Sequence, residues 1–474
     1  MSSFAPRALK VRVSCACVLF FASLTACQSL PPVDADPAAR VDLARAAFAA
    51  AAEADQAGDQ EAALAAMRQA LALRPNHPTL IYNAAALEIQ SGYSASARLL
   101  LGKLARMGVG LDVRKQPAFE SLHGGEAFER IADQLAANAE PFGETPLERT
   151  FDPPARSSHR LPEGLAYDAK TKTWFLSTVA SGELLNSRQE SLATRSRHRG
   201  FFGIAFDPAR RVLWATAATP PGKVVDAEME ESPALVEVPL GRSLLYRIEV
   251  DEQEIGMILS HGPFFMEGGE SVIPVPGEQP AALGDVTVLK DGTVLASDGE
   301  GGMIWRVISP DEPRTGEGPW MKPWLQGPPL SSPQGMAEAA GGVYLADYSS
   351  GLHRLDSDGE RRPFVIPEDL CDLGIDGLAA ADAHHLVAIQ NGFAPQRILY
   401  LTLSENGTAI TDWQVLAAGL PEWREPTLGL VHEGWFYFVA NSHWPDYADF
   451  ENPNPGQGPP EIRRVRLPVQ VVES

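Results

Sequence analysis

The chain has few cysteines for its 474 residues, and their positions exclude a fold stapled by disulfides. Three of the four, Cys15, Cys17 and Cys27, stand within the first 27 residues, which leaves Cys371 alone in the rest. An intramolecular disulfide needs two thiols, so the folded part must be held by its hydrophobic core. The length is ample for such a core and for more than one domain.

Positive charge and several catalytic motifs are scarce or absent. Lys and Arg number 39 against 61 Asp and Glu, a formal net charge of −22 at pH 7. Such a chain repels phosphate and anionic lipid, so we expect no nucleic-acid partner and membrane attachment only through a lipid anchor. The sequence has no GxSxG, HExxH, CxxC, Walker or dinucleotide-binding pattern, so serine hydrolysis, zinc proteolysis and nicotinamide chemistry have no support.

The first residues indicate export. A basic start and an apolar run over 13–22, too short to span a bilayer, precede the stretch LTAC that ends at Cys27. This ending resembles the lipobox of bacterial lipoproteins. The resemblance implies a signal peptide over residues 1–26, lipid attachment at Cys27, and a protein anchored to the bacterial cell envelope, at the outer membrane facing the periplasm.

Residues 40–138 predict an all-α helical repeat. They are alanine-rich, with leucine at helical spacing, and Gly58 and Ala63 recur 34 residues later as Gly92 and Ala97. The pattern resembles the tetratricopeptide repeat, in which small residues lie where paired helices approach closely. We expect this segment to dock a protein partner, because it carries no reactive constellation.

One phrase recurs six times in the remainder of the chain. Each copy joins a small residue to an alternating apolar strand, a polar turn and a second strand, which is typical of short antiparallel strands. Repeats of about forty to fifty residues predict an all-β, six-bladed β-propeller over residues 157–474. The copies are LPEGLAYD at 161, GFFGIAFD at 200, ALGDVTVLKDG at 282, SPQGMAEAAGG at 332, GIDGLAAADAH at 374 and EPTLGLVHEG at 425.

Two linkers complete this division of the chain. Residues 27–39 join the lipid site to the helices, and residues 139–156, rich in proline and charge, join the helices to the propeller. The stretch LERTFDP in the second linker is a candidate for the outer strand that the last blade lacks. Three long loops are predicted at the tunnel mouth: Glu183–Gly200, Pro220–Arg242 and Trp444–Glu461.

The residue before the small position of each phrase should face the tunnel mouth, because the first strand of a propeller blade lies innermost. Two carboxylates and one amide in this ring suit a hard cation such as Ca²⁺ or Mg²⁺, whereas zinc would favour His or Cys. The alternative is a metal-free propeller whose carboxylates face tunnel water. The six ring residues are Glu163, Phe202, Gly284, Gln334, Asp376 and Leu428.

The ordered series of phrases, with Glu163 in the first and Asp376 in the fifth, resembles the senescence-marker-protein/gluconolactonase superfamily, with paraoxonases and strictosidine synthases as more distant relatives. The resemblance implies a divalent cation, calcium above all, held by Glu163, Gln334 and Asp376. It also implies a lactone or ester substrate whose carbonyl the cation polarises. Blade three departs from the family pattern, since Gly284 stands where relatives have asparagine and Asp285 follows it.

A second set of polar residues is predicted to line the same mouth together with Asp285. Second strands run antiparallel to first strands, so their ends return to the face where the first strands begin. Asp and Asn are also favoured turn residues, which is the structural alternative for each of them. The set comprises Asp298, Asp347, Asn391 and Asn441, with His443 two residues beyond the last as a candidate acid–base group.

Two functions follow. The first is an envelope lipoprotein whose propeller is a divalent-metal-dependent lactone or ester hydrolase, with a helical docking module and no catalytic residue yet assigned. The second is a non-catalytic scaffold in which the helical repeats and the propeller both bind protein or ligand partners. Both kinds of protein are built on propellers, so the fold alone does not choose between them.

Overall fold

The computed structural model describes the chain from residue 36 onward with internal gaps. The predicted signal peptide and Cys27 lie outside the described residues, as do 221–242 and 448–457 of two predicted loops. No helix in this described part is both long and apolar enough to cross a membrane. The described residues are 36–151, 161–188, 190–194, 199–220, 243–250, 270–277, 279–308, 320–447 and 458–468.

Helices occupy the N-terminal part. The first begins inside the predicted linker, because Asp36 caps it by accepting a hydrogen bond from Ala39 N at 2.9 Å and Pro37 fits the first helical position. The α-helices are α1 Pro37–Gln56, α2 Gln60–Leu73, α3 Pro78–Gln90, α4 Ser94–Arg106 and α5 Glu126–Asn138, with 3₁₀ helices at Val113–Lys115 and Pro117–Leu122.

The 34-residue offset corresponds to a repeated turn. Gly58 follows α1 and Gly92 follows α3, and their φ angles of 77° and 83° are left-handed, a conformation that glycine adopts without steric cost. Ala63 in α2 and Ala97 in α4 are fully buried. Since α1 packs on α2 and α3 packs on α4, the offset marks two helix pairs with the same turn.

Six four-stranded antiparallel sheets confirm the predicted six-bladed β-propeller. Their innermost strands contact one another in order around a ring. Blade one is β2 Pro162–Asp168, β3 Thr173–Thr178, β4 Glu183–Asn186 and β5 Ser191–Thr194; blade two is β6 Gly200–Asp207, β7 Val212–Ala218, β8 Leu244–Glu249 and β9 Glu270–Pro274; blade three is β10 Leu283–Val288, β11 Val294–Asp298, β12 Met303–Val307 and β13 Met321–Pro323. Blade four is β14 Pro333–Ala339, β15 Gly342–Asp347, β16 Gly351–Leu355 and β17 Arg361–Arg362; blade five is β18 Ile375–Ala380, β19 His385–Gln390, β20 Arg397–Leu403 and β21 Ile410–Ala418; blade six is β22 Gly429–His432, β23 Trp435–Val439, β24 Glu461–Arg466 and β1 Leu147–Thr150.

The sixth blade takes its outer strand from the segment before the first blade. β1 pairs antiparallel with β24, so the order outward from the axis is β22-β23-β24-β1. Phe151 N donates to Pro460 O at 2.9 Å, and Arg464 N donates to Pro146 O at 3.1 Å. The two ends of the propeller are therefore hydrogen-bonded to each other, with LERT of the predicted linker as the joining strand.

The prediction of a loop over Glu183–Gly200 is wrong, because this segment contains β4 and β5, the outer strands of blade one. Leu184 and Leu185 are buried, and Leu185 pairs with Leu176 of β3. Each of the two strands has four residues. Such short strands, flanked by polar residues, leave too few alternations for the sequence pattern to reveal them.

The helices pack directly on the propeller. Leu104 and Phe119 share a hydrophobic core with Cys371 and Leu373, which lie just before blade five. The buried Arg397 of β20 donates from Nη1 to Met107 O at 2.8 Å, at the end of α4. Burial lowers the pKa of this guanidinium, and its hydrogen bonds offset part of the cost of enclosing the charge.

The strand pairing of β1 predicts a loss of stability on its removal. Replacing Leu147–Thr150 by four glycines should lower the Tm by at least about 5 °C, because glycine in a strand costs about 0.5–1 kcal/mol per residue. As a control, Glu148→Gln removes only the ion pair to Arg464, 3.0 Å long and partly exposed. That pair is worth under about 1 kcal/mol. Thermal unfolding followed by circular dichroism measures both, and equal melting temperatures would contradict the closure.

Candidate functional site

A β-bulge recurs at the same point of the inner strand in five blades. In blade one, Pro162 pairs with Thr178 but Leu165 pairs with Leu176, so β2 has one residue more than β3 over this stretch. A bulge bends the strand and turns a side chain out of the regular alternation. The same shift occurs between Phe201 and Ile204, Leu283 and Val286, Pro333 and Met336, and Ile375 and Leu378. The predicted ring residues Glu163, Phe202, Gly284, Gln334 and Asp376 therefore occupy equivalent bulged positions.

Hydroxyl groups of neighbouring strands hold these bulges. Ser177 Oγ accepts a hydrogen bond from Gly164 N at 2.7 Å and donates to Phe202 O of the next blade. Thr427 Oγ1 of blade six donates to Glu163 O at 3.0 Å. Because these bonds run between blades, the bulged residues of adjacent blades are held in a common frame.

Four carboxyl groups share the tunnel mouth. Burial, and next the charge of Asp376, raise the pKa of Glu163 well above its usual range. Burial also raises the pKa of Asp376 to about 6 and the pKa of Asp285 to about 7. The pKa of Glu425 rises to about 7 through burial and then through the charge of Asp376. The neighbouring charges that raise these pKa values belong to carboxylates, so the group favours bound protons or a cation.

Neutral polar side chains hold two of these carboxylates in place. Asn391 donates from Nδ2 to Asp376 Oδ2 at 2.7 Å, and Tyr348 Oη donates to Asn391 Oδ1 at 3.0 Å. Trp444 Nε1 donates to Glu163 Oε2 at 2.7 Å. The indole of Trp444 also stacks on the ring residue Phe202, with ring centroids 6.2 Å apart. One side of the mouth is therefore apolar and the other polar.

Two non-glycine residues with left-handed backbone face each other across this mouth. Glu425 has φ 63° and His443 has φ 66°. Ser442 Oγ donates to Glu425 O at 2.8 Å, which ties the two turns together. His443 Nδ1 lies 3.1 Å from Asp446 Oδ2, while its Nε2 is buried without a hydrogen-bond partner among the described residues. Uncommon backbone conformations of this kind concentrate at functional sites.

Blade three places its carboxylate differently from the other blades. Gln334 donates from Nε2 to Ser332 Oγ at 3.2 Å, and its Oε1 would lie 3.5 Å from a Cβ on Gly284. The amide of blade four therefore fills the space that a side chain at Gly284 would take. Asp285, one residue further, lines a tunnel cavity of about 380 Å³. It accepts a hydrogen bond from Val286 N at 2.8 Å.

Three predicted pocket residues bind backbone groups of their own turns. Asp347 accepts hydrogen bonds from four backbone N–H groups, at 2.7–2.9 Å. Asp298 accepts from Ala282 N and Gly301 N, both at 2.9 Å, and from Trp305 Nε1 at 3.1 Å. Asn441 accepts from Glu461 N at 2.7 Å. These contacts are those of turn residues, whereas Glu163, Asp285, Asp376, Asn391 and His443 lie at the tunnel or its mouth.

Sequence reasoning did not single out Glu425, Tyr348 or Trp444. Each adjoins a position that it did single out: Glu425 opens the sixth phrase, Tyr348 follows Asp347, and Trp444 follows His443. A search of the residues flanking each strand end would have found all three. Their importance comes from contacts across blades, which the spacing along the chain does not contain.

The donor chemistry of the mouth fits a hard divalent cation, since carboxylate and amide oxygens are the ligands that Ca²⁺ and Mg²⁺ prefer. Within the described ranges, no group of three or more His, Cys, Asp or Glu is gathered closely enough to hold a metal ion. The expected set contains two carboxylates, Glu163 and Asp376, with the amide of Gln334 as its third member. A cation here would therefore depend on that amide and on water for its remaining ligands.

The comparisons with known proteins concern the propeller. No family model and no curated protein matches the sequence. A PQQ-bound aldose sugar dehydrogenase from Streptomyces coelicolor is 14% identical over 69% of this chain and 98% of its own, with TM-score 0.43. A virginiamycin B lyase from Staphylococcus aureus is 12% identical over 69% and 100%, with TM-score 0.40. A gluconolactonase from Xanthomonas campestris is 13% identical over 69% and 99%, with TM-score 0.39. Similarity at this level carries no argument about activity.

The raised pKa of Asp285 predicts a pH-dependent stability. A carboxyl with a pKa of about 7 in the folded state and 3.8 ordinarily favours folding below about pH 4, and this contribution is lost as the pH rises through 7. In the presence of EDTA, Asp285→Asn should therefore raise the free energy of unfolding at pH 8 by about 1–3 kcal/mol, allowing for tunnel water. It should change little at pH 4.5.

Urea unfolding at the two pH values measures this difference. The exposed Asp412→Asn is the matched control and should show no pH-dependent offset. An equal effect of Asp285→Asn at both pH values would show that the carboxyl is not held in its protonated form.

Proposed function

We propose that the propeller is a divalent-cation-dependent hydrolase of a small lactone or ester. The observation that carries this proposal is the group of carboxyls at one tunnel mouth, Glu163, Asp285, Asp376 and Glu425, whose pKa values are raised by burial and, except for Asp376, by one another's charge. A bound cation would relieve that repulsion. Calcium is the first candidate because the available donors are oxygens.

In this proposal Glu163, Gln334 and Asp376 hold the cation. When bound, such an ion supplies Lewis-acid polarisation of a carbonyl and a more acidic water. Asn391 and Tyr348 keep the Asp376 carboxylate oriented through their hydrogen bonds. Trp444 orients Glu163 and, with Phe202, offers an apolar wall to the substrate.

Glu425 is the proposed proton-transfer group. Its pKa of about 7 lets the carboxyl take or give a proton near neutral pH. The unpartnered Nε2 of His443 is placed to hydrogen-bond a substrate oxygen on the same side of the mouth. Burial raises the pKa of Tyr348 above its usual value, so its phenol stays protonated and serves as a donor.

The helices are proposed as a tetratricopeptide-like docking module for a protein partner. Its support is the repeated helix pair and the apolar side chains left at the surface. Leu99 on α4 is 75% exposed, Tyr93 before α4 is 53% exposed and Leu43 on α1 is 47% exposed. Lipid attachment at Cys27 and an outer-membrane location facing the periplasm belong to the same proposal and rest on the N-terminal sequence. The scaffold hypothesis shares these features and differs in requiring no turnover.

Calcium titration tests the cation. Wild type should bind Ca²⁺ with a rise in Tm, and Glu163→Gln/Asp376→Asn should weaken the Kd at least about tenfold by removing two charged ligands. The control Glu405→Gln/Asp412→Asn removes two exposed carboxylates and should leave the Kd unchanged. Isothermal calorimetry of the full chain measures binding, and its absence from wild type would favour the scaffold.

Hydrolysis of a lactone and aryl-ester panel in Ca²⁺ tests Glu425. Glu425→Gln should lower kcat by about 10²-fold or more and remove the pH dependence of kcat near 7, because an amide cannot transfer the proton. Calcium binding and Tm should stay close to wild type. A variant that keeps the wild-type pH profile would exclude Glu425, and wild type without turnover on any substrate would contradict the hydrolase proposal.

A further inference from the structure

A second cavity lies between the helices and blade four, away from the tunnel. Its volume is about 460 Å³, within the range of about 300–1,000 Å³ that is typical of small-molecule sites. Its walls are the first turn of α1, the connection between α2 and α3, and strands β16 and β17 with the residues after them. The helical segment and the propeller therefore build it jointly.

Positive charge converges on this cavity although the whole chain carries a net charge of −22. Arg40 and Arg74 reach it from the helices, and Arg361 and Arg362 reach it from β17. Asp372 is the single carboxylate among its described lining residues. Four guanidinium groups against one carboxylate make the cavity a local region of positive potential.

The contacts of these side chains show which charges are offset. Arg362 forms ion pairs with Asp356 at 2.5 Å and Glu360 at 2.7 Å, so its charge is largely balanced. Arg40 Nη2 donates to Leu73 O at 2.6 Å, and Arg74 Nη2 donates to Ser349 O. These carbonyls are neutral, so they orient the two guanidinium groups without cancelling their charge.

The remaining carboxylate of the cavity does not neutralise this surplus. Asp372 accepts a hydrogen bond from Leu352 N at 2.9 Å, and burial raises its pKa to about 6. Burial lowers the pKa of Arg74 to about 10, so that guanidinium is still charged at neutral pH. Arg40, Arg74 and Arg361 are therefore the source of the net positive charge.

We propose that this cavity binds a small organic anion through Arg40, Arg74 and Arg361. Guanidinium groups match the planar, multi-oxygen geometry of carboxylate and phosphate. The apolar part of the ligand would lie against Val41 and Phe364, which line the same cavity. This site is independent of the tunnel and does not rest on the hydrolase proposal.

Phenyl phosphate is the probe, because it combines an anion with an apolar ring. By calorimetry on the full chain, it should bind more tightly than inorganic phosphate, and phenol should not bind measurably. Arg361→Gln should weaken phenyl phosphate binding at least about tenfold, and Arg74→Gln/Arg361→Gln should abolish it. Arg130→Gln, on the exposed face of α5, is the matched control and should bind as wild type.

Each other outcome overturns the proposal. They are no binding to wild type, wild-type affinity in Arg361→Gln, or equal loss in Arg130→Gln. Glu163→Gln/Asp376→Asn should bind the probe normally, and loss there would place the probe in the tunnel instead. If the double arginine variant melts early because Arg74 also contacts Ser349, Arg361→Gln decides alone, with its Tm as the check on folding.

Discussion

The close approach of neighbouring inner strands is the constraint on which the rest of the propeller depends. A Cβ added at Gly164 would lie 2.5 Å from Phe202 O, and one at Gly335 would lie 2.5 Å from Leu378 N, both backbone atoms of the next blade. Those distances are well inside van der Waals contact, so glycine is required there. The repeated small residue of the six phrases is thus a packing requirement, and the bulge beside it presents the preceding residue to the tunnel mouth.

The same constraint explains why blade three departs from the pattern. Its phrase reads Gly284-Asp285, with the glycine and the functional side chain in exchanged positions. Asp285 is accommodated because it lies over Gly203 of blade two, where any Cβ would collide with the carboxylate. The carboxyl of this blade is consequently displaced along the tunnel. Gln334 spans the gap above Gly284 instead, so the mouth has an uneven distribution of oxygens.

Sequence patterns predicted what depends on local repetition and missed what depends on contacts between blades. The six blades were predictable because alternating strands and a glycine recur in each phrase. Outer strands were not, since a strand such as Arg361–Arg362 has two residues and no alternation. Glu163 and Asp376 were predictable as the acidic members of a repeated position. Glu425 and Trp444 were not, because their roles arise from turns that face each other only after the ring closes.

The helices and the tunnel mouth belong to one continuous set of buried contacts. Arg397 joins Met107 O at the end of α4 to Gln390 Oε1 at the end of β19, the second bond being 2.6 Å long. Gln390 is followed directly by Asn391, which holds the Asp376 carboxylate. Since Arg397 is a buried charge, separating the helices from blade five would leave it without its Met107 partner, at a cost of several kcal/mol on the order of a broken buried polar contact. The helical segment is therefore structurally part of the propeller that carries the site, and whatever binds the helices binds a body rigidly continuous with Asp376.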